Sequence, residues 1–321
     1  MINVLANDGI SQVGIDVLEQ NGFNVITEKV AQEDLIDVIN KENYQVLLVR
    51  SATTVRKKLI DACPNIKIIG RGGVGMDNID VNYARDKGIN VINTPSASSS
   101  SVAELVFAHL FGMVRFLFDS NRQMPITGDS DFKGLKKSYS GGIELEGKTL
   151  GIIGFGRIGQ EVAKKAIGLG MKVLAHDKYV DKVDILINFF NGDKKTFTIE
   201  TESLKNVLAN SDFITLHTPK IGNKAVIGAE EIGMMKTGTG IINAARGGII
   251  DETALIFALN KEKLAYAGLD VFENEPNPTI HLLKHNAISL SPHIGGATLE
   301  AQARIGTELA SQIINYFNKT V

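Results

Sequence analysis

The chain has 321 residues, of which 44% are hydrophobic, so it is long enough for roughly two globular domains, each with its own core. Its 34 Lys and Arg residues are balanced by 36 Asp and Glu residues, and the net charge of −2 excludes the broad basic surface that binds nucleic acid or an anionic membrane. The single cysteine, Cys63, excludes an internal disulfide framework and a cysteine-based zinc site, and it is expected to be a buried structural thiol.

Short segments rich in Val and Ile alternate with amphipathic segments in the first part of the chain. The predicted strands are residues 2–6, 23–27, 44–50, 67–73 and 89–95. Between them, stretches such as SQVGIDVLEQ and QEDLIDVIN place apolar residues at helical spacing. Strands that alternate with helices predict a parallel α/β sheet.

A long apolar segment, SVAELVFAHLFGMVRFLFDSNRQM, begins at Ser101 after serines that suit a helix N-terminus. The pattern predicts one long helix that lies outside either sheet. Glu104, Arg115 and Asp119 make the segment too charged to favour a membrane span. A long apolar helix of this kind is expected to pack against a partner subunit or another domain.

A second alternating series begins at Lys148. Its predicted strands are residues 148–154, 172–177, 212–219, 238–245, 266–272 and 287–292, which is the strand number of a complete dinucleotide-binding sheet. Residues 187–203 are the least regular and are predicted to form a loop or small excursion. Residues 297–317 predict one amphipathic helix, which is too small to be a domain and is expected to return to the first one.

The sequence GIIGFGRIG places Gly154, Gly156 and Gly159 in the spacing G-x-G-x-x-G between a predicted strand and a predicted helix. Such a turn directs the N–H groups of the helix N-terminus towards a pyrophosphate. Asp177 ends the next strand, where a carboxylate accepts hydrogen bonds from ribose hydroxyls and repels a 2′-phosphate, so NAD is favoured over NADP. The alternative is a glycine-rich turn without a ligand, in which Asp177 caps a loop.

Three side chains suited to acid–base chemistry or anion binding follow strands of the second series. Arg246 follows GIINAA, Glu275 follows YAGLDVF, and His293 ends AISLSPH. Ligands of parallel sheets gather at this edge, where a histidine can take a hydroxyl proton, a carboxylate can fix its tautomer, and an arginine can grip a substrate carboxylate. Together they predict hydride transfer between a 2-hydroxy acid and nicotinamide. Singly, each has an ordinary alternative: a capping or core histidine, a solvated loop charge and a surface cation.

The other histidines give weaker indications. His217, in LHTP, ends a strand on the cofactor side, and a packed or backbone-bonded role is expected for it. His109, His176, His281 and His285 have no partner that the sequence identifies. The spacing of metal ligands is absent, so no metal is predicted.

These motifs together resemble a known family. GIIGFGRIG with Asp177, NAARGGIIDETAL, AGLDVFENEP and SPHIGGAT are similar to the signatures of the D-isomer-specific 2-hydroxyacid dehydrogenases, and the resemblance covers essentially the whole chain. Within that family, VRSAT, GRGGVGMDNID, NTPSASSSSVAE and HIGGATLEAQARIG most resemble the phosphoglycerate dehydrogenases. The resemblance implies NAD-dependent oxidation of D-3-phosphoglycerate to 3-phosphohydroxypyruvate, the first step of serine biosynthesis. Because many relatives continue into regulatory domains, the last residue, Val321, predicts a short form without them.

The resemblance also implies a Rossmann-type NAD-binding domain, residues 98–293, inserted into a flavodoxin-like α/β substrate domain formed by residues 1–97 and 294–321. It assigns His293 as the acid/base, Glu275 as its partner and Arg246 as the substrate clamp. The cofactor residues expected from motif and resemblance are Val74, Gly154, Gly156, Arg157, Ile158, Gly159, Asp177, Thr218, Ala244, Ala245, Arg246, Asp270, His293, Gly295 and Gly296. The expected substrate residues are Arg50, Ser51, Arg71, Gly72, Gly73, Val74, Arg246 and His293.

Several alternatives stay open at this point. A hydroxypyruvate or glyoxylate reductase, or another D-2-hydroxyacid dehydrogenase, would use the same catalytic groups. Arg50 and Arg71 could be solvated cations rather than phosphate ligands. An NAD-sensing corepressor shares the fold without the activity. The expected partners are the small-molecule substrate and further copies of the chain in a homodimer or homotetramer, with no nucleic acid and no membrane. Because the first residues lack the regions of a signal peptide, a cytoplasmic location is expected.

Overall fold

In the computed structural model, which describes residues 1–220, 222 and 224–319, the chain divides into two units. The first comprises Met1–Ser101 and Gly296–Val321, and the second comprises Val102–Gly295. Both units consist of a parallel sheet with helices, so the predicted α/β class is confirmed.

The first unit contains a five-stranded sheet in which every neighbouring pair of strands is parallel. Its strands are β1 (Ile2–Ala6), β2 (Phe23–Ile26), β3 (Val46–Val49), β4 (Ile68–Arg71) and β5 (Asn90–Asn93). The spatial order β2-β1-β3-β4-β5 is the flavodoxin-like order. From β1 the chain adds β2 on one side and then β3 to β5 on the other, so the order of the strands reverses between β1 and β3. Loops that follow β1 and β3 therefore lie on either side of a natural binding crevice.

Short helices connect these strands, and their apolar residues form two buried clusters, one on each side of the chain's first sheet. The helices are α1 (Gln12–Gln20), α2 (Leu35–Lys41), α3 (Lys57–Ala62) and α4 (Val81–Asp86). Cys63 is buried against them, and burial raises the pKa of its thiol to about 11. A thiol in this state is a structural apolar group, as the sequence indicated.

The long apolar segment forms two helices rather than the single helix predicted. Helix α5 (Ser99–Val114) ends before Phe116, whose left-handed φ of 53° breaks the helical path, and α6 (Leu117–Thr127) continues at an angle of 54°. A short helix, α7 (Phe132–Ser138), follows. Within the described residues, no single helix is long and apolar enough to cross a membrane, and α5 with α6 meets the criteria of length and composition only as a bent pair. Val106 and Leu110 of α5 are buried in the core of the second unit.

The second unit contains a six-stranded parallel sheet, built from the six strands that the sequence predicts. The strands of the second unit, with a separate hairpin included, are β6 (Thr149–Ile153), β7 (Lys172–His176), β8 (Lys182–Asn188), β9 (Lys194–Glu200), β10 (Phe213–Leu216), β11 (Thr239–Asn243), β12 (Leu264–Leu269) and β13 (Ile288–Leu290). The sheet order is β13-β12-β11-β10-β6-β7, so the direction reverses between β6 and β10. Dinucleotides bind at such a reversal, outside the carboxyl ends of the strands.

The stretch that the sequence predicted as a loop or small excursion forms part of an antiparallel hairpin. Strands β8 and β9 pair along their whole length, from Lys182 opposite Glu200 to Asn188 opposite Lys194. Ile185 is buried, and Val183 and Ile199 pack against the same core. The loop alternative for residues 187–203 was wrong, because TFTIE (196–200) and the preceding KVDILIN (182–188) alternate apolar and other side chains with period two, which is the signal of a half-buried strand.

Five further helices of the second unit follow, and one more helix belongs to the first unit. They are α8 (Arg157–Gly168), α9 (Leu204–Asn210), α10 (Ala229–Met234), α11 (Glu252–Asn260), α12 (Ile280–Leu283) and α13 (Leu299–Asn318). Helix α13 belongs to the first unit and packs on α1. A Cβ atom on Gly14 would lie only 2.8 Å from the Cα atom of Gly306, so two glycines allow the helices to approach this closely.

Candidate functional site

The turn between β6 and α8 requires glycine for steric reasons at two of the three positions of the G-x-G-x-x-G motif, Gly154 and Gly159. Gly154 has a φ of 95°, and a Cβ atom there would lie 2.6 Å from the carbonyl carbon of His217. Gly159 packs against the carbonyl oxygen of Gly154. Gly156 is the N-cap residue of α8, followed by Arg157 and Ile158. A glycine N-cap has no side chain to cover the first helical N–H groups, which suits an anion.

Asp177 is held beside this turn by its own backbone contacts. Its Oδ2 atom accepts a hydrogen bond from the N–H of Phe155 at 2.6 Å, and Oδ1 accepts one from the N–H of Tyr179 at 2.8 Å. An ionised carboxylate has about four lone-pair sites, so acceptor capacity remains for ribose hydroxyls. The carboxylate is therefore oriented before any ligand arrives.

Two buried polar atoms close to the glycine turn have no hydrogen-bond partner among the described residues. They are Nδ1 of His217 and Oγ1 of Thr218, which follow β10. The other ring nitrogen of His217 bonds to Oγ1 of Thr215 at 3.0 Å, and burial lowers the pKa of His217 to about 3, so the ring is neutral. Buried polar groups in folded proteins are normally paired. Orphaned atoms at this place fit a polar ligand such as the dinucleotide that the glycine motif predicts.

Glu275 and His293 form a direct hydrogen-bonded pair. The Nδ1 atom of His293 lies 2.8 Å from Oε2 of Glu275, and Oε1 of the same carboxylate accepts the N–H of Phe272 at 2.9 Å. The side chains remain 44% and 36% exposed, respectively. Because Nδ1 donates to the carboxylate, Nε2 carries the lone pair of the neutral ring and can exchange a proton. Glu275 is thus the hydrogen-bond partner of His293, although it had the weakest individual signal of the three residues in the sequence.

The backbone of His293 adopts an unusual conformation that neighbouring hydrogen bonds hold in place. Its φ is 56°, a left-handed value that costs a non-glycine residue on the order of 1 kcal/mol. Asp270, only 1% exposed, accepts the N–H groups of the next two residues, Ile294 and Gly295, each at 2.8 Å. The sequence placed Asp270 and Gly295 with the cofactor residues by resemblance but gave no sign that the carboxylate clamps this segment.

Arg246 lies on the turn after β11, next to the loop that carries Glu275. A Cβ atom at Gly247 would clash with the carbonyl oxygen of Phe272, so glycine permits the two loops to touch. The buried side chain of Asn243 fixes the turn, because Nδ2 donates to the carbonyl of Arg246 at 2.8 Å and Oδ1 accepts the N–H of Ala245 at 3.1 Å. Ala244 and Ala245 precede Arg246 on this turn. Asn243 was missed in the sequence because an amide inside an apolar strand looks like a packing residue.

In the first unit, Arg50 and Arg71 lie at the carboxyl ends of β3 and β4, which are neighbouring strands. The backbone of Arg50 is fixed by Asp8, whose Oδ2 accepts its N–H at 2.7 Å, and by Asn78, whose Nδ2 donates to its carbonyl at 2.8 Å. Ser51 follows Arg50. Asp8 was not predicted, although its place two residues after the strand INVLA was a usable signal.

The glycine-rich stretch after β4 is shaped around the side chain of Arg71. The guanidinium packs over Gly73, where a Cβ atom would clash with Nη1 and where φ is 145°. Gly72 leads into this bend, and Val74 beyond it is 38% exposed. Val74 and Gly296, which the sequence placed with the cofactor residues, both belong to the first unit.

Comparison with known proteins gives one family match and several relatives. Residues 107–295 match the family model described as D-isomer specific 2-hydroxyacid dehydrogenase, NAD binding domain. The chain is 39% identical over 315 residues to a D-3-phosphoglycerate dehydrogenase of Methanocaldococcus jannaschii, covering 98% of this chain and 57% of that protein. It is 40% identical over 316 residues to a hydroxypyruvate reductase of Thermotoga maritima, covering 97% of this chain and 96% of that protein.

A solved structure is also similar to the chain over its whole length. The 3-phosphoglycerate dehydrogenase of Entamoeba histolytica with bound NAD+ superimposes with a TM-score of 0.76 at 28% identity, covering 100% of this chain and 96% of that one. The chain thus spans only 57% of the length of the M. jannaschii relative, but nearly the whole of the T. maritima protein.

Proposed function

The chain belongs to the D-isomer specific 2-hydroxyacid dehydrogenase family, and on this premise we propose that it oxidises D-3-phosphoglycerate to 3-phosphohydroxypyruvate with NAD as the hydride acceptor. The family and the NAD-binding domain that the sequence predicted are confirmed. The substrate and the roles of individual residues are the content of the proposal. The described residues around Gly154, Asp177 and Thr218 fit the cofactor, which would accept a hydride from C2 of the substrate.

The hydrogen bond between Nδ1 of His293 and Glu275 carries the proposal. Oxidation of a 2-hydroxy acid releases the hydroxyl proton as the hydride leaves C2, so a base must be aimed at that oxygen. Nε2 of His293 takes the proton, and the adjacent carboxylate stabilises the imidazolium that forms. In the reverse direction the same imidazolium returns the proton to the carbonyl oxygen.

Arg246 is assigned to the carboxylate of the substrate. A guanidinium offers parallel N–H donors that match a carboxylate in two-point contact, and this contact fixes C2 relative to the base. The support for this role is the turn after β11, which Asn243 holds by hydrogen bonds and which packs against the carbonyl of Phe272. Arg246 on this turn lies at the same edge of the sheet as Glu275 and His293. A fixed backbone reduces the entropy lost when the side chain binds.

A phosphorylated substrate requires further cations, for which Arg50 and Arg71 are the proposed ligands. They follow adjacent strands of the first sheet, and the backbone around both is fixed by hydrogen bonds or close packing. The N–H groups of Gly72, Gly73 and Val74 are assigned to substrate oxygens, since glycine allows the main chain to approach a ligand closely.

A second candidate function, reduction of hydroxypyruvate or glyoxylate, is favoured by a specific observation. The chain is 40% identical over 316 residues to the T. maritima hydroxypyruvate reductase, against 39% over 315 residues to the M. jannaschii phosphoglycerate dehydrogenase. The proton relay and the arginine would act identically on an unphosphorylated acid. Only the need for phosphate ligands separates the two reactions.

The deciding experiment follows NADH oxidation with 3-phosphohydroxypyruvate, hydroxypyruvate, glyoxylate and pyruvate, compared by kcat/KM. The proposal expects the phosphorylated acid to be preferred, which would place the protein in serine biosynthesis, a cytoplasmic role. A preference for an unphosphorylated acid would establish the second candidate. Binding of NADH without turnover of any acid would instead favour an NAD-sensing protein.

We also propose that two copies of the chain associate through α6 and α7. Helix α6 has no buried residue, and Leu117, Ile126 and Phe132 are 63%, 69% and 58% exposed. Apolar side chains grouped on adjoining helices commonly mark a protein interface. Light scattering should give a mass of at least twice the 34.7 kDa of one chain, and a mass of one chain would contradict the assignment.

A further inference from the structure

His109 was one of four histidines for which the sequence offered no partner, yet both of its ring nitrogens form hydrogen bonds. It lies on α5 and is 5% exposed. Nδ1 is 2.8 Å from Oγ of Ser289, and Nε2 is 2.9 Å from Oγ of Ser291. The ring crosses β12 at Gly268, where an added Cβ atom would lie 3.0 Å from Cβ of His109. The helix is therefore bonded to β13 and to the residue immediately after it.

The direction of these hydrogen bonds follows from their far end. Ser291 lies 2.6 Å from Oδ1 of Asp270, and an ionised carboxylate only accepts, so Ser291 donates its proton to Asp270. The Ser291 oxygen must then accept from Nε2 of His109. Burial lowers the pKa of His109, so the ring is neutral and carries one N–H. That proton is on Nε2, and Nδ1 accepts from Ser289.

The other end of the chain of hydrogen bonds is the candidate catalytic segment. Asp270 accepts the N–H groups of Ile294 and Gly295 with its two oxygens. These residues directly follow His293, whose left-handed backbone depends on its surroundings. The orientation of the Asp270 carboxylate is thus set by Ser291 on one side and controls the His293 backbone on the other.

We propose that His109 is a positioning residue for His293. Its Nε2–H group fixes the hydroxyl of Ser291, and that hydroxyl orients the carboxylate of Asp270. The carboxylate then holds the two N–H groups that follow His293, and so it aims the ring of that histidine. This inference rests on the proposed role of His293 as the acid/base. Misplacement of a reacting group by about 1 Å can cost on the order of a hundredfold in rate, so a residue outside the reaction can control it.

A matched pair of substitutions isolates the Nε2 donor. His109→Gln places an amide N–H near the position of Nε2 and keeps the bond to Ser291, whereas His109→Asn places its amide near Nδ1 and loses that bond. The two amides differ by one methylene, so a purely structural cost of losing the imidazole affects both. Melting temperature serves as the control for that cost.

Two measurements are made on each variant. The kcat for the best 2-oxo acid should fall about tenfold in His109→Asn, with the dissociation constant for NADH unchanged, and by less than about twofold in His109→Gln. Amide hydrogen exchange, followed by NMR, should be faster at Ile294 and Gly295 in His109→Asn but not in His109→Gln. Ser291→Ala, which removes the bond to Asp270 directly, should show the same faster exchange if neither His109 variant folds.

Equal behaviour of the two His109 variants, or unchanged exchange at both amides in His109→Asn and Ser291→Ala, would overturn the inference. The exchange measurement needs no substrate. Absence of turnover in the unaltered protein would therefore count against the proposed function alone, whereas turnover with unchanged exchange in the variants would count against the role of His109 alone.

Discussion

The two parallel sheets of this chain carry different kinds of functional group at their carboxyl edges. After β3 and β4 of the first sheet, the candidates are two arginines and the N–H groups of a glycine-rich bend, held by Asp8 and Asn78. After β11, β12 and β13 of the second sheet, the candidates include a titratable pair supported by buried polar side chains. The first set can hold anions, whereas the second can move a proton.

This difference shows that parallel sheets with a similar winding do not by themselves specify a task. In both sheets the strands are parallel, but the strand order reverses at one point, and a crevice opens there. A proton transfer needs a side chain aimed to within a fraction of an ångström, and the second sheet provides the buried network that such aiming requires. Anion binding tolerates a simpler arrangement of backbone and guanidinium groups.

The strongest test of the division is His293→Ala. Loss of the acid/base should lower kcat by about a thousandfold, within the range that general acid–base catalysis contributes, while NADH binding measured by fluorescence is retained. His281→Ala, at an exposed histidine on α12, should leave kcat unchanged. Turnover that survives in His293→Ala would assign the proton transfer to another residue and break the comparison.

The complementary test in the first sheet is Arg71→Gln. If this unit binds the phosphoryl group, KM for 3-phosphohydroxypyruvate should rise between about tenfold and a hundredfold, the equivalent of one charged hydrogen bond, with little change in kcat. Hydroxypyruvate, which has no phosphate, serves as the internal control and should show unchanged kinetics. A fall in kcat with both acids would instead give the first sheet a share of the chemistry.

A smaller effect is expected from Asp177→Asn. The amide keeps an acceptor for the N–H of Phe155 but removes the charge that repels a 2′-phosphate. The ratio of kcat/KM for NADP to that for NAD should therefore rise about tenfold, corresponding to one charge-dependent contact. An unchanged ratio would mean that Asp177 only orders the glycine turn.

The last prediction concerns the pH dependence of stability at His217, which directly follows β10 of the second sheet. Its pKa falls from 6.5 to about 3 on folding, so between these values the unfolded chain binds a proton that the folded chain does not. Stability should therefore decrease as pH falls from 6.5 towards 3, with His217 adding up to about 1.4 kcal/mol per pH unit to the slope. Urea unfolding at several pH values should show a shallower slope in His217→Asn; equal slopes would contradict neutral burial.

Much of the second sheet could be predicted because its signals are local. Runs of Val and Ile identified β6, β7 and β10 through β13, and a glycine spacing identified the turn before α8. Arg246, Glu275 and His293 became candidates because each lies a few residues beyond the end of such a strand. The hairpin formed by β8 and β9 was overlooked although its period-two pattern was present, and the break at Phe116 was missed because the flanking residues continue a helical pattern.

The sequence by itself determined the strands, the glycine turn, the family and the residue types at the strand ends, because each of these depends on neighbouring residues or on short spacings. Only the tertiary structure decided which polar groups meet. His109 and Ser291 are separated by 182 positions, and the bond between Asp8 and Arg50 joins residues 42 positions apart. No local pattern encodes such contacts, since they arise when distant elements pack and a buried polar group must find a partner.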